Sequence, residues 1–326
     1  MYRRSLGFTI LELLLVLVII GFFAAMVAPK LGGLFGDAHS TLSSANKKDI
    51  QTFTRVWQQE HNGLPNMLVN VVNELDTGFA IPQLDDIDPD NGQETLSQLF
   101  LKRNKLYLHT LDGNEADELR KLGVKYILDL NDTVGSHGLT LLDTATPMRK
   151  KDIQAGVQVL MIGAGNNGTT WVDGISTGFS NYSTEAAVST TDVNGDGVGP
   201  GSTGYDHGNP AWMYRIVLGM GPDCSLVKDG TIEGAALCPK GIKLSNRITY
   251  KYYSLVMPRL KATVNRLKAA GNLPTRLNVI ADDEENKEVR IDEAQELWEF
   301  AIIDSEGQKW PADKADMWQI EQVFTD

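Results

Sequence analysis

Cysteine is nearly absent from this chain of 326 residues, where only Cys224 and Cys238 occur. Two cysteines exclude a disulfide-dense scaffold and a zinc ribbon. Basic residues are also in the minority, with 30 Lys and Arg against 42 Asp and Glu and a formal net charge of −12. A general nucleic-acid binder needs a basic footprint to release counterions, so the charge argues against that class. The five histidines are scattered and form no H-E-x-x-H pair, so a metalloenzyme signature is missing. No internal repeat is visible. What is present is a globular composition, 42% hydrophobic and 22% charged, with enough length for one large domain or two small ones. An acidic surface suits hard cations or basic partners.

The apolar residues are densest at the N-terminus. After Arg3 and Arg4, the stretch from Phe8 to Ala28 carries a single charge, Glu12. As a helix it would measure about 31 Å, matching a hydrocarbon core of ~30 Å. Arg3 and Arg4 place its start in the cytoplasm, with the remainder exported. A carboxylate inside such a helix costs ~2.5–3.5 kcal/mol on insertion scales and calls for a partner. A secretory signal cut after Ala28 accounts for it less well, because the run is long and an acid sits near its start. A plain anchor gives Glu12 no role.

Gly7-Phe8-Thr9-Ile10-Leu11-Glu12 resembles the processing site of type IV pilins and type II secretion pseudopilins. The resemblance covers about residues 1–65. It implies a cytoplasmic leader, 1–7, removed by a prepilin peptidase between Gly7 and Phe8, with methylation of the new amine on Phe8. It implies that this amine neutralises Glu12 of a neighbouring subunit in an apolar filament core. Gly21 and Pro29 match family positions that bound a helix segment able to unwind on assembly. The implied partners are other copies and related pilin-like subunits in a homo-oligomeric filament, the peptidase and an inner-membrane assembly platform. The implied location is the inner membrane, single pass with a periplasmic head, and then a periplasmic or extracellular filament.

Beyond the span, three glycines in residues 32–36 predict a bend. Helical spacing resumes from Leu42 to about Glu60, with Ile50, Phe53, Val56 and Trp57 as one stripe and Lys47, Lys48, Gln51, Arg55 and Gln58 largely opposite. Asn62-Gly63-Leu64-Pro65 stops the helix. The chain therefore divides into the leader, an N-terminal helix 8–62 with its transmembrane part at 8–28, and an exported head, 63–326. Helix-like stretches in the head are 93–101, 114–122, 254–270 and 292–303. Strand-like runs are 125–130, 156–162, 213–218, 248–253 and 276–281. The mixture predicts an α+β fold with an antiparallel sheet packed on the N-terminal helix.

Residues 163–208 are rich in Gly, Ser, Thr, Asn and Asp and read as loops. Within them Asp192-x-Asn194-x-Asp196-Gly197-Val198 places oxygen ligands at alternate positions of a turning loop. That pattern suits a structural calcium ion, with Asp192, Asn194, Asp196 and the Val198 carbonyl as ligands and Asp206 closing the site. Asp85, Asp86, Asp88, Asp90 and Glu94 form a second acidic cluster that reads as a solvated turn. Cys224 and Cys238 enclose a 13-residue loop, and export would permit a disulfide worth ~3 kcal/mol. A G-x-G-x-x-G at 163–168 and a G-x-S-x-G at 174–178 lack the helix that either motif needs next, and both read as loops.

From Lys240 to Arg276 there are nine Lys and Arg and no acid, while residues 282–326 carry fifteen Asp and Glu against four Lys and Arg. The two segments either pack together within one head or meet between subunits along a filament. Tyr250, Tyr252 and Tyr253 inside the basic stretch permit a DNA-uptake reading, which the net charge disfavours. The sequence thus predicts a non-enzymatic filament subunit. A minor tip or ligand-binding subunit is the nearest alternative. A membrane-anchored periplasmic enzyme or sugar-binding module, using Trp171, Trp212, Trp298, Trp310 and Trp318, is the alternative of another class.

Overall fold

A computed structural model describes residues 10–75, 78–80, 83–84, 94–96, 100, 106–131, 149–163, 165–166, 171–172, 211–232, 234, 237–239, 250, 252–270, 275–280, 287–309 and 319–324. Helix α1 spans Ile10–His61, 52 residues, about 78 Å at the α-helical rise. It continues through Gly21, Pro29 and the glycines of 32–36, where the sequence predicts a weak or bent stretch. A proline removes one donor and its effect is local, while the Leu- and Ala-rich turns around it are strong helix formers. Asn62 ends the helix in the left-handed region, at φ 49°.

The next contact requires two glycines. Leu64 N donates to Leu122 O at 2.6 Å, so the end of α1 lies directly against the turn that follows α2 (Gly113–Lys121). Gly123 sits at φ 103°, and a Cβ there would meet Leu64 O at 2.7 Å; a Cβ on Gly63 would meet Leu122 O at 2.9 Å.

The strands, in chain order, are β1 (Leu68–Leu75), β2 (Gly78–Ala80), β3 (Gln83–Leu84), β4 (Glu94–Leu96), β5 (Leu106–Thr110), β6 (Tyr126–Asn131), β7 (Arg149–Asp152) and β8 (Gln158–Ile162). They continue as β9 (Gly165–Asn166), β10 (Trp171–Val172), β11 (Ile216–Gly219), β12 (Ser254–Val256), β13 (Arg276–Ile280), β14 (Lys287–Arg290), β15 (Ala301–Ile303) and β16 (Gln319–Phe324). Nine of them form the main sheet, in the order β15-β12-β11-β1-β6-β7, with β2 on β1 and the β5–β8 pair joined to β11. Its pairings are antiparallel apart from β1–β6, whose parallel crossover carries α2. Strand β11 is a fork. Its last residues pair with β1 (Asn70↔Leu218, Val69↔Gly219) and its first with β8 (Ile216↔Met161, Val217↔Leu160).

Alternation along these strands sorts the core into two faces. Leu68, Val159, Met161, Ile216, Leu218, Leu255 and Ile302 point to the face that also holds Ile50 and Trp57 of α1. Val69, Leu160, Ile162, Val217, Val256 and Ile303 point to the other, with Phe100, Tyr250 and Tyr252. The fold is thus a mixed α and β head built on one large sheet.

Several expected elements differ. Residues 254–270 divide into β12 and α4 (Lys261–Ala269) around Pro258, which cannot continue either element. Residues 292–303 form a 3-10 turn, Leu297–Glu299, followed by β15, and 94–96 is strand rather than helix. Within 248–253 the described tyrosines 250, 252 and 253 precede β12 and are buried, so they offer no stacking surface. Gly165 and Asn166 of the G-x-G-x-x-G form β9, which pairs with β10.

Helices α2 and α4 are joined by carboxylates. Glu118 accepts from Lys261 N at 2.9 Å and Ala262 N at 2.6 Å, capping α4. Asp112 and Glu115 form a capping box on α2. The fully buried Glu115 also meets His109 Nε2 at 2.8 Å, Thr263 Oγ1 at 2.7 Å and Arg266 Nε at 3.1 Å. Burial alone would raise its pKa, but the hydrogen bond and charge of His109, the Asp112 N–H and the Thr263 hydroxyl outweigh it and hold the value down to about 2.

Two predictions follow from these contacts. Gly123→Ala combines a left-handed backbone with a clash, and should cost about 1–3 kcal/mol in denaturant unfolding. Glu115 binds a proton more readily in the unfolded chain, so its contribution is complete above pH 4.5 and falls away toward pH 2. That contribution is about 3 kcal/mol. Unfolding measured at pH 7 and pH 3 should show a smaller acid loss in Glu115→Gln than in the parent.

Candidate functional site: the docking face of α1 and its N-terminal motif

One face of α1 is buried against the head. It comprises Ser43, Lys47, Ile50, Thr54, Trp57 and Gln58, at three- and four-residue steps. Ile50 and Trp57 enter the sheet core, and Trp57 stacks on His61 at 3.7 Å between ring centroids. The remaining members are polar, and each has a defined partner. Thr54 Oγ1 donates to Ile50 O at 2.8 Å, and Gln58 Nε2 donates to Leu297 O at 2.8 Å.

Lys47 is the pivot. It is only 1% exposed. Its Nζ donates to Asp304 Oδ2 at 2.9 Å, to Gln308 O at 2.8 Å and to Lys309 O at 3.2 Å. Asp304 follows β15 directly. Its Oδ1 accepts from Glu306 N at 3.0 Å and Gln308 N at 2.9 Å, and Ser43 Oγ approaches its Oδ2 at 3.4 Å. The turn 304–309 is thereby shaped into an ammonium receptor: a carboxylate locked by backbone N–H groups, with two carbonyls beside it.

This arrangement corrects the expected stripe. Phe53 and Val56 are 40% and 38% exposed, whereas Lys47 and Gln58, expected on the solvent side, are buried. The docked face turns toward the receptor in the 304–309 turn rather than following hydrophobicity alone. Leu42, Phe53 and Val56 consequently remain on an uncovered side of the helix.

The cysteines are a second correction. Cys224 and Cys238 are free thiols, both buried, and the expected bridge is not formed. Both belong to the core that receives Ile50 and Trp57. Cys224 opens the short helix α3 (Ser225–Lys228), where burial pushes its thiol up to about 12. Cys238 receives a hydrogen bond from Ser305 Oγ at 3.3 Å and lies 3.9 Å from Ser43 Oγ.

Much of the basic stretch is engaged within its own head. Lys268 Nζ lies 3.5 Å from Asp292 Oδ2, and Arg276 Nη1 lies 3.4 Å from Glu288 Oε2. Arg259 is buried and donates to the carbonyls of Met213, Arg290 and Glu293. Burial, set against the opposing influence of Tyr214 and nearby acids, lowers its pKa to about 10. These three basic side chains are therefore bonded inside the chain.

Asp192, Asn194, Asp196, Val198 and Asp206, proposed for calcium, lie outside the described residues, and among the described residues no group of His, Cys, Asp or Glu could hold a metal. Gly7 and Phe8 also lie outside them. Glu12, Gly21 and Pro29 belong to α1, with their side chains outside the description. Of the expected span, Ile10, Leu14, Val16 and Leu17 are described, and all four are exposed. Among the described residues no helix is long and apolar enough to cross a membrane.

The family model described as the prokaryotic N-terminal methylation motif matches residues 2–28. The chain carries the signal motif of type IV pilins and pseudopilins. That motif runs directly into α1, which presents the docking face some four turns further on. No curated protein and no solved structure matches the chain. The motif was legible from sequence, but the Lys47–Asp304 pair was not. The available signal was the step pattern 43, 47, 50, 54 and 57, visible once polar side chains are admitted to the buried stripe.

Lys47→Met should leave the Asp304 carboxylate buried without its ammonium and destabilise the head by about 3–5 kcal/mol. Lys47→Met/Asp304→Asn should recover part of that loss, because the buried charge is gone and the amide oxygen still accepts from Glu306 N and Gln308 N. Denaturant unfolding of the full chain in detergent micelles reads both.

Proposed function

We propose that this protein is a structural subunit of a type IV pilus-like or type II secretion pseudopilus filament. The observation that carries the reading is the methylation motif at 2–28 leading into a helix of 52 residues whose distal half is docked on a large head. In this reading a prepilin peptidase cuts between Gly7 and Phe8 and methylates the new amine. Glu12 then receives that amine from a neighbouring subunit, because a carboxylate in an apolar core needs a cation. Ile10, Leu14 and Leu17 follow the i, i+4, i+7 pattern of one helix face and are exposed on the isolated chain. Such a face suits lipid before assembly and neighbouring helices afterwards. The subunit waits in the inner membrane with its head in the periplasm, and an inner-membrane platform assembles it with other copies and related pilin-like subunits.

The size of the head and the exposed Trp298 favour one variant of this reading, a minor or tip subunit. An exposed tryptophan is the kind of residue that anchors a contact. The head acts in either case as a displayed structural body, with chemistry supplied by the peptidase that processes it.

Electron microscopy of cells carrying Gly7→Ala or Glu12→Ala tests the proposal. Both variants should lack filaments, the first because processing stops and the second because subunits no longer register. Normal filaments in both would overturn it.

A further inference from the structure

Ser43, Lys47, Ile50, Thr54 and Trp57 of the docking face follow one another at steps of three and four. Ile50 and Trp57 hold this face to the core, but apolar contact is non-directional and resists turning or sliding of the helix only through shape. A buried ammonium cannot slip: each position other than its receptor leaves one charge unpaired in the interior.

We infer that Lys47 and the 304–309 turn form a register socket that, together with the backbone bond from Leu64 to Leu122 at the helix end, sets the position of α1 on the head. The receptor is held in shape by bonds that do not involve the lysine. Asp304 Oδ1 is held by Glu306 N and Gln308 N, which leaves Oδ2 and the carbonyls of Gln308 and Lys309 to converge on Nζ. The three acceptors match the three donors of an ammonium. Ser43, one turn earlier, contacts the same Oδ2 at 3.4 Å and fills the adjacent space. The socket lies beside β15, the edge strand of the main sheet, so the register of α1 is transmitted directly to the sheet. Resting on the filament reading proposed above, the same socket sets the height and azimuth at which every head is displayed around the helical core.

Moving the lysine tests this. Spin labels at Thr52→Cys on α1 and Glu293→Cys on the head occupy exposed positions, while Cys224 and Cys238 are buried. Their separation is measured by pulsed electron resonance on the full, unassembled chain in detergent micelles. Exchanging Ser43→Lys with Lys47→Ser relocates the ammonium by four residues. The socket should follow it, with the head displaced by up to about 6 Å along α1 and the label distance changed. A distance and width equal to the parent's would overturn the inference. If the relocated variant does not fold, Lys47→Met decides: a broadened or multiple distance supports the socket, and the parent's single distance contradicts it. Because the reading is taken without assembly, its failure is separate from any failure of the filament proposal.

Discussion

Removing one ammonium from water constrains this structure more than any other contact of α1. A charge with 1% exposure must be matched fully or not buried at all. The matching group is a turn 257 residues away in sequence, reached by a bond of 2.9 Å. Apolar contact supplies the adhesion of α1, through Ile50 and Trp57. The ion pair supplies its address. The two roles are physically distinct, since hydrophobic burial scales with area and tolerates sliding, whereas a desolvated ion pair tolerates almost none.

The rest of the head is arranged to keep that address rigid. Asp304 follows β15, β15 pairs with β12, and β12 pairs with the forked strand β11. From the fork, β1 returns to the end of α1 through the close approach of Gly63, Leu64 and Gly123. Helix α1 is therefore gripped near its middle by charge and at its end by backbone. Gln58 adds an intermediate tie to Leu297. Around the same core, Glu115 and Glu118 pin α2 to α4, so these helices are joined by carboxylates as well.

What the sequence made legible follows the range of the underlying interaction. Local signals were read correctly: the methylation motif, the Asn62-Gly63 stop, the helix at 114–122 and the strand-like runs at 125–130 and 156–162. Signals that depend on a distant partner were misread. Lys47 looks like a solvent residue until Asp304 is brought beside it. Phe53 and Val56 look like core until the charge turns the helix. Pro258 was present in the sequence, yet the apolar run around it disguised a strand followed by a helix. Cys224 and Cys238 are close in sequence and lie in the same buried core, yet they are free thiols.

Together these features describe a chain whose N-terminal motif and distal head are coupled through one helix. In the filament reading proposed above, the motif provides an end to be cut and modified, and the docked face a rigid body to display. The account depends most on whether that end is processed as the motif implies. Intact mass measurement of the mature protein, taken from its native cell envelope, tests this most directly. The account predicts a chain beginning at Phe8 with one added methyl group on its amine. A chain retaining Met1 to Gly7, or one beginning after Ala28, would contradict it.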